Sequence, residues 1–310
     1  MLSRAYNVKI IFFGTPQFSA DFLQGLMNES EFEVVGVVCQ PDEPLGRKKI
    51  LTAPPTKQLA LSHNIPVFQP TKLKDEAFIE SLRQLNADAF VVVSYGRIIP
   101  QIVLDLPKLG VINVHPSLLP KYRGPSPMQS AIAAGETETG ISIMKLDALM
   151  DHGPILAQTK LSITPQTTSE SLMAEVVATG VPLLIETLKK FTLGEITPTE
   201  QDHASATICS LLSRADGIID WSQPAEVIYA HVRGLNPWPG TSTHDLKIFS
   251  VKITAQELPP GQVLIQGNRL FIGTGSSALE IIEIQPTAGK RMPTAAFIAG
   301  HRELSGTSLL

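Results

Sequence analysis

The chain has 310 residues, with 25 basic and 29 acidic side chains and a formal net charge of −4. Its 43% hydrophobic and 17% charged content argues against intrinsic disorder and supplies one large core or two ordinary ones. Two cysteines, Cys39 and Cys209, rule out a disulfide framework and point to a reducing compartment, so a soluble cytoplasmic protein is expected.

A strand pattern begins by Val8, so Met1 to Asn7 leave no room for a targeting peptide, and no apolar run is read as approaching the roughly 18 residues of a membrane span. Val8 to Phe13 is a continuous apolar run ending at Gly14-Thr15-Pro16. Phe18, Phe22, Leu23 and Leu26 then follow at helical spacing. Val34 to Cys39 predicts a second strand, followed by a polar loop and a helix over Pro55 to His63. Glu76 to Leu85 reads as helix, and Ala89 to Val93 and Gly110 to Val114 as strands. Gly140 to Leu146 and Ile155 to Leu161 continue the strands, and Thr168 to Phe191 is the longest helical pattern. Apolar runs alternating with helices predict a parallel sheet covered on both faces, with ligands bound beyond the carboxyl ends of its strands.

The pattern changes after Phe191. Leu193 to Ala206 is polar and reads as a linker. Lys247 to Ile253, Gln262 to Ile265, Arg269 to Gly273 and Leu279 to Ile284 are short strand candidates, whose close spacing suggests a small β-barrel. From Ile208 onward basic and acidic residues balance at 8 each, so the acidic excess lies wholly in the first part. A nucleic-acid partner therefore has to be met by local patches.

Several chemistries lack their signatures. Gly14-Thr15-Pro16 is not a G-x-G-x-x-G loop, and Pro16 stands where a helix begins, so a plain strand-to-helix turn is expected and a nicotinamide cofactor is not. The seven histidines include no H-x-x-H or H-E-x-x-H pair, so no metal is expected. The P-loop and the G-x-S-x-G elbow are missing.

The richest stretch runs from Gly110 to Gly124. Period-two alternation puts Asn113 and His115 on one face at the carboxyl end of their strand. An amide donor beside an imidazole suits stabilisation of a developing oxyanion together with proton transfer. On pattern alone the plainer alternative, a turn cap and an ordinary near-surface histidine, is favoured. Asp151 reads as a turn residue unless it meets His115, where it would orient the imidazole. Arg47, Lys48 and Lys49 beside Gly46 form either a solvated basic loop or a phosphate-contacting finger, diluted by Asp42 and Glu43.

Asn113-Val-His115-Pro-Ser-Leu-Leu-Pro-Lys-Tyr-Arg-Gly124 matches the signature of formyltransferases that use 10-formyltetrahydrofolate. Phe13-Gly-Thr-Pro-Gln-Phe18, Gln40-Pro-Asp-Glu-Pro-Leu-Gly-Arg47, Ile219-Asp-Trp-Ser222 and Asn236-Pro-Trp-Pro239 narrow the likeness, with Gln285-Pro286 and Gly289-Lys-Arg-Met292. Over nearly its whole length the chain resembles the methionyl-tRNA formyltransferase family. That resemblance implies a Rossmann-like catalytic domain over 1–192, a linker over 193–206 and a C-terminal barrel resembling an OB fold over 207–310 that meets tRNA. It implies formyl transfer from 10-formyltetrahydrofolate to the α-amino group of charged initiator tRNA by a monomer without a metal. It carries the catalytic roles onto Asn113, His115 and Asp151, folate binding onto Ser117, Leu118, Leu119 and Pro120, and the tRNA-meeting loop onto Pro41 to Ile50, with Arg47 as its key arginine. Departures from the family pattern are Glu43 in place of a common Arg, His152 in place of a small residue, and Leu212-Ser213-Arg214 near a usual Lys. The alternatives are another folate-dependent formyltransferase, acting on a sugar amine or on glycinamide ribonucleotide, and an RNA-binding protein that has lost catalysis. The C-terminal segment disfavours the first and the intact Asn113, His115 and Asp151 the second.

Overall fold

The computed structural model describes residues 7–46 and 48–309. In chain order these form β1 (Val8–Gly14), α1 (Gln17–Met27), β2 (Phe32–Val38), β3 (Glu43–Leu45), β4 (Ile50–Thr52), α2 (Pro55–Ser62), β5 (Val67–Phe68), α3 (Glu76–Gln84), β6 (Ala89–Val93), α4 (Gln101–Leu104), β7 (Val111–His115), α5 (Pro127–Ala133), β8 (Glu138–Lys145), β9 (Ile155–Ser162) and α6 (Ser169–Thr192). There follow α7 (Ala225–Leu235), β10 (Thr241–Thr243), β11 (Leu246–Ile253), β12 (Val263–Gln266), β13 (Arg269–Gly273), β14 (Ala278–Pro286), β15 (Met292–Pro293) and α8 (Thr294–Ile298). Two compact units result: Met1–Pro125 with Gly140–Leu161 and Met173–Ile208, and Ser126–Thr139 with Ser162–Leu172 and Cys209–Leu310.

The first unit is built on a sheet of order β5-β2-β1-β6-β7-β8-β9. β5, β2, β1, β6 and β7 are parallel, as the alternation of runs and helices predicts. β8 differs: it pairs antiparallel with β7, setting Ser142 opposite His115. The apolar run could not reveal this, because burial on both faces makes a strand apolar whichever way it points. Ile11, Phe13, Phe78, Ile79, Leu82, Phe90 and Val92 form one contiguous core with the helices α3 and α4. Elsewhere α1 lies close to α6: a Cβ on Gly25 would come within 2.3 Å of Val181 Cγ1, and one on Gly180 within 2.8 Å of Phe22 Cζ.

Among the described residues, α6 is the helix that is long and apolar enough, by length and composition alone, to cross a membrane. Its apolarity has a local use, since Val176, Leu184 and Leu188 are buried within the protein.

The second unit is an antiparallel sheet of order β10-β11-β14-β13-β12, with β15 added to β14. Its core gathers Trp221, Ile228, Val232, Ile248, Ile272, Leu279, Ile281 and Phe297. Trp221 is 1% exposed and donates its indole N–H to Thr243 Oγ1 at 3.0 Å, which satisfies the one polar atom of a large buried ring. Helix α7 was missed in the sequence although Ile228, Val232 and Leu235 carry its spacing. It meets α5 at Gly234, where a Cβ would stand 2.8 Å from the Gln129 carbonyl oxygen.

Both cysteines are buried, and neither forms a disulfide. Burial pushes the Cys39 thiol up to about 11. As pH rises past the ordinary thiol value, the unfolded chain ionises Cys39 and the folded chain does not, so this group removes stability with rising pH. Iodoacetamide at pH 8 should therefore label Cys39 only after denaturation; rapid labelling of the native protein would contradict the burial.

Candidate active site

The site assembles where β7 ends. Asn113 and His115 are 8% and 4% exposed, held between β6 and β8. The Asn113 carboxamide makes no hydrogen bond to another described residue, so its donors remain uncommitted. His115 is held on both sides. Its Nε2 lies 2.8 Å from the Tyr122 carbonyl oxygen, and because a carbonyl can only accept, Nε2 carries the hydrogen. Its Nδ1 faces Asp151 Oδ2 at 3.7 Å, too long for a direct hydrogen bond but within ion-pair range once the ring is doubly protonated. The contact that the sequence left open, between Asp151 and His115, is thus present.

Two loops carry these groups. The first, Ser117 to Gly124, follows β7 and is pinned at its start by a single hydroxyl. Ser142 Oγ donates to the Ser117 carbonyl at 2.6 Å and accepts from the Leu119 N–H at 3.1 Å. Gln158 Nε2 donates both to the Leu119 carbonyl and to Ser142 Oγ, at 2.9 and 2.8 Å. Ser117 Oγ donates to the Lys121 carbonyl. Gly140 is required beside this loop, because a Cβ there would stand 2.4 Å from Leu118 Cδ2 and 2.2 Å from the Thr159 carbonyl oxygen. The second loop joins β8 to β9 and holds Asp151 at φ +48°, a left-handed conformation in which aspartate is enriched among non-glycine residues. Asp151 Oδ2 accepts the Gly124 N–H at 2.8 Å, joining the two loops directly.

The polar stretch expected as a linker makes specific contacts at this site. Thr199 pairs with Ile155 through both backbone groups, and Thr207 pairs with Pro120, Tyr122 and Arg123. Gln201 is 5% exposed and bonds the backbone of the Asp151 loop and the Arg123 guanidinium. Sequence reasoning missed Ser142, Gln158 and Gln201. Each is a lone polar residue whose function is set by a partner distant in sequence, and only Ser142 and Gln158 left a trace, as polar residues within strand patterns.

Lys48 and Lys49 lie on the exposed turn between β3 and β4, and Arg47 falls outside the described residues. The loop read as merely polar is a short hairpin that exposes Leu45, Ile50 and Leu51. Among the described residues, no hydrogen bond or ion pair joins Lys48 or Lys49 to the groups around Asp151.

Gly153 closes the second loop against the Lys145 backbone, and a Cβ there would stand 2.1 Å from the Lys145 carbonyl oxygen. Gly153→Ala should displace the Asp151 turn and lower turnover by about a hundredfold, the scale of an ångström misplacement. Steady-state kinetics with a melting curve checks this, and wild-type turnover would show that the turn tolerates the shift.

The chain is similar in sequence and in fold to known formyltransferases. Residues 7–188 match the formyl transferase model and residues 211–302 match the formyl transferase C-terminal domain model. A methionyl-tRNA formyltransferase of Roseiflexus castenholzii is 46% identical over 265 residues, covering 83% of this chain and 85% of that protein. One from a Synechococcus strain is 48% identical over 255 residues, covering 82% and 79%. Among solved structures, WlaRD, a sugar 3N-formyl transferase crystallised in the presence of dTDP and 5-N-formyl-THF, superposes with a TM-score of 0.67. It is 17% identical and is covered over 89% of this chain and 97% of its own, a likeness of fold. With both domain models matched and relatives of this identity aligned over most of their length, the chain belongs to the formyl transferase family, in its methionyl-tRNA formyltransferase branch.

Proposed function

We propose that the first unit carries out formyl transfer to the α-amino group of methionyl-tRNA with Asn113, His115 and Asp151 as its catalytic residues. The observation that carries this reading is His115, buried at the carboxyl end of β7 between Asp151 and a backbone carbonyl, beside an uncommitted carboxamide.

10-Formyltetrahydrofolate supplies an activated formyl group. The residues that would hold it are Ser117, Leu118, Leu119 and Pro120, and the fit is favourable: Ser142 and Gln158 fix this segment beside Asn113 and His115. Acyl transfer between two nitrogens needs one proton removed from the attacking amine, one delivered to the leaving nitrogen, and stabilisation of negative charge on the formyl oxygen. Asn113 donates to that oxygen. His115 moves the proton, and the Asp151 carboxylate stabilises the ring while it bears both hydrogens. To reach the reacting atoms the ring gives up its bond to the Tyr122 carbonyl, in keeping with catalytic hydrogen bonds that tighten only when substrate is bound. None of these steps calls for a metal.

The test is formylation of charged initiator tRNA with 10-formyltetrahydrofolate, with charged elongator tRNA as the control. The parent should formylate the initiator, and Asn113→Ala should lose at least about a hundredfold in turnover while folate binding changes far less. No formylation by the parent would overturn the activity, and turnover of the variant within a few-fold of the parent would remove Asn113 from the mechanism.

The same reading assigns tRNA contact to the β3–β4 hairpin with Arg47, Lys48 and Lys49, and to a C-terminal barrel of OB type over 207–310, in a monomeric cytoplasmic enzyme. The net charge of −4 keeps phosphate contacts few and local. An arginine fork holds a phosphate at two points and a lysine at one. Arg47→Ala should therefore weaken use of methionyl-tRNA more than Lys48→Ala. It should also flatten the slope of log affinity against log salt by about 0.7 to 0.9. Unchanged affinity together with an unchanged slope would leave the hairpin merely solvated.

A further inference from the structure

Asp151 stands in a left-handed turn, and the Gly124 N–H secures only its carboxylate. Something else must hold the turn's backbone. Gln201 Nε2 donates to the carbonyl oxygens of both Asp151 and Gly153, at 2.9 and 2.7 Å. Its two hydrogens bracket His152. The opposite end of the amide is fixed as well: Oε1 lies 3.2 Å from Arg123 Nε and 2.7 Å from Arg123 Nη2. A guanidinium can only donate, so the amide orientation is determined by chemistry, with oxygen toward Arg123 and nitrogen toward the turn. Gln201 and Arg123 are 5% and 8% exposed, so these bonds compete little with water.

The clasp closes on itself. Arg123 Nη2 also donates to His203 Nδ1 at 2.9 Å, which leaves that nitrogen unprotonated. The His203 ring stacks on His152 with centroids 3.9 Å apart and planes 2° from parallel. His152 in turn contacts Asp147 Oδ2 at 2.7 Å. Residue 152 is thus gripped through its side chain while the carbonyls on either side of it are gripped by one amide.

We infer that Gln201 is a positioning residue that sets the Asp151 carboxylate against His115. This rests on the reading above that Asp151 serves in catalysis. Only a primary amide of this length can fill the place. A glutamate would keep the bond to Arg123 but turn an acceptor toward two carbonyl oxygens, and an asparagine falls one methylene short.

The experiment is a double-mutant cycle on the full chain, read by formylation kinetics, with a melting curve for each variant. Gln201→Glu should lower kcat by tenfold or more and leave KM for both substrates within about twofold. Gln201→Met, which removes the donors without adding charge, serves if the glutamate variant does not fold, and should act in the same direction. In an Asp151→Asn background either change should cost less than about twofold more, because the group being positioned is already gone. An equal fractional loss in both backgrounds, or full activity of the Gln201 variant, overturns the positioning role while leaving Asp151 in place. Parental kcat in Asp151→Asn alone overturns the catalytic reading, and the inference falls with it.

Discussion

The hydrogen bond from the Gly124 amide to the Asp151 carboxylate joins the two loops from which the site is made. One loop follows the carboxyl end of β7, where an α/β fold leaves room for a ligand, and the other leaves antiparallel β8 after Lys145, which pairs with Ile112. With that bond in place, Asp151 faces His115 Nδ1 and the Tyr122 carbonyl, two residues before Gly124, meets His115 Nε2. The histidine is thus oriented by parts of the chain that the bond holds together. An imidazole with an acceptor on each side suits the doubly protonated ring, the form that a proton carrier must reach during acyl transfer.

Around this bond, buried polar side chains bond the backbone of both loops as well as one another. Ser142 and Gln158 bond the loop that follows β7, and Gln201 bonds the Asp151 turn. Loops at the end of a sheet carry peptide groups that no ladder satisfies, and leaving one buried without a partner costs about 1–3 kcal/mol. Side chains that meet this need also fix loop position, which is how a site gains rigidity without extra secondary structure. The antiparallel turn of β8 contributes directly, since its register places Ser142 opposite His115, within reach of the backbone of the loop that begins two residues later.

The parallel strands and the longest helices were legible in the sequence because their signals are local. Val8 to Phe13 and Ala89 to Val93 are unbroken apolar runs, and Phe18, Phe22, Leu23 and Leu26 repeat at helical spacing. The short hairpin before Pro55 was read as loop, since three-residue strands with exposed side chains carry no burial pattern. Leu193 to Ala206 read as linker for the same kind of reason. Its polar residues gave no periodicity, yet Thr199, Gln201 and Thr207 are engaged with chain 40 to 90 residues away.

By itself the sequence determined that a strand ends in Asn113 and His115 with both side chains on one face, because the two-residue period of a strand is intrinsic to its backbone. It determined the signature that places the chain among formyltransferases, and the aspartate in a turn of its own. Only the tertiary structure decided that Asp151 meets His115, that β8 runs against β7, and that a glutamine 50 residues beyond the aspartate clasps its turn. Spacing along a chain encodes which face a side chain takes within its own element. Which face of another element it meets depends on how loops close and sheets pair, and those are settled by contacts between residues that the sequence keeps far apart.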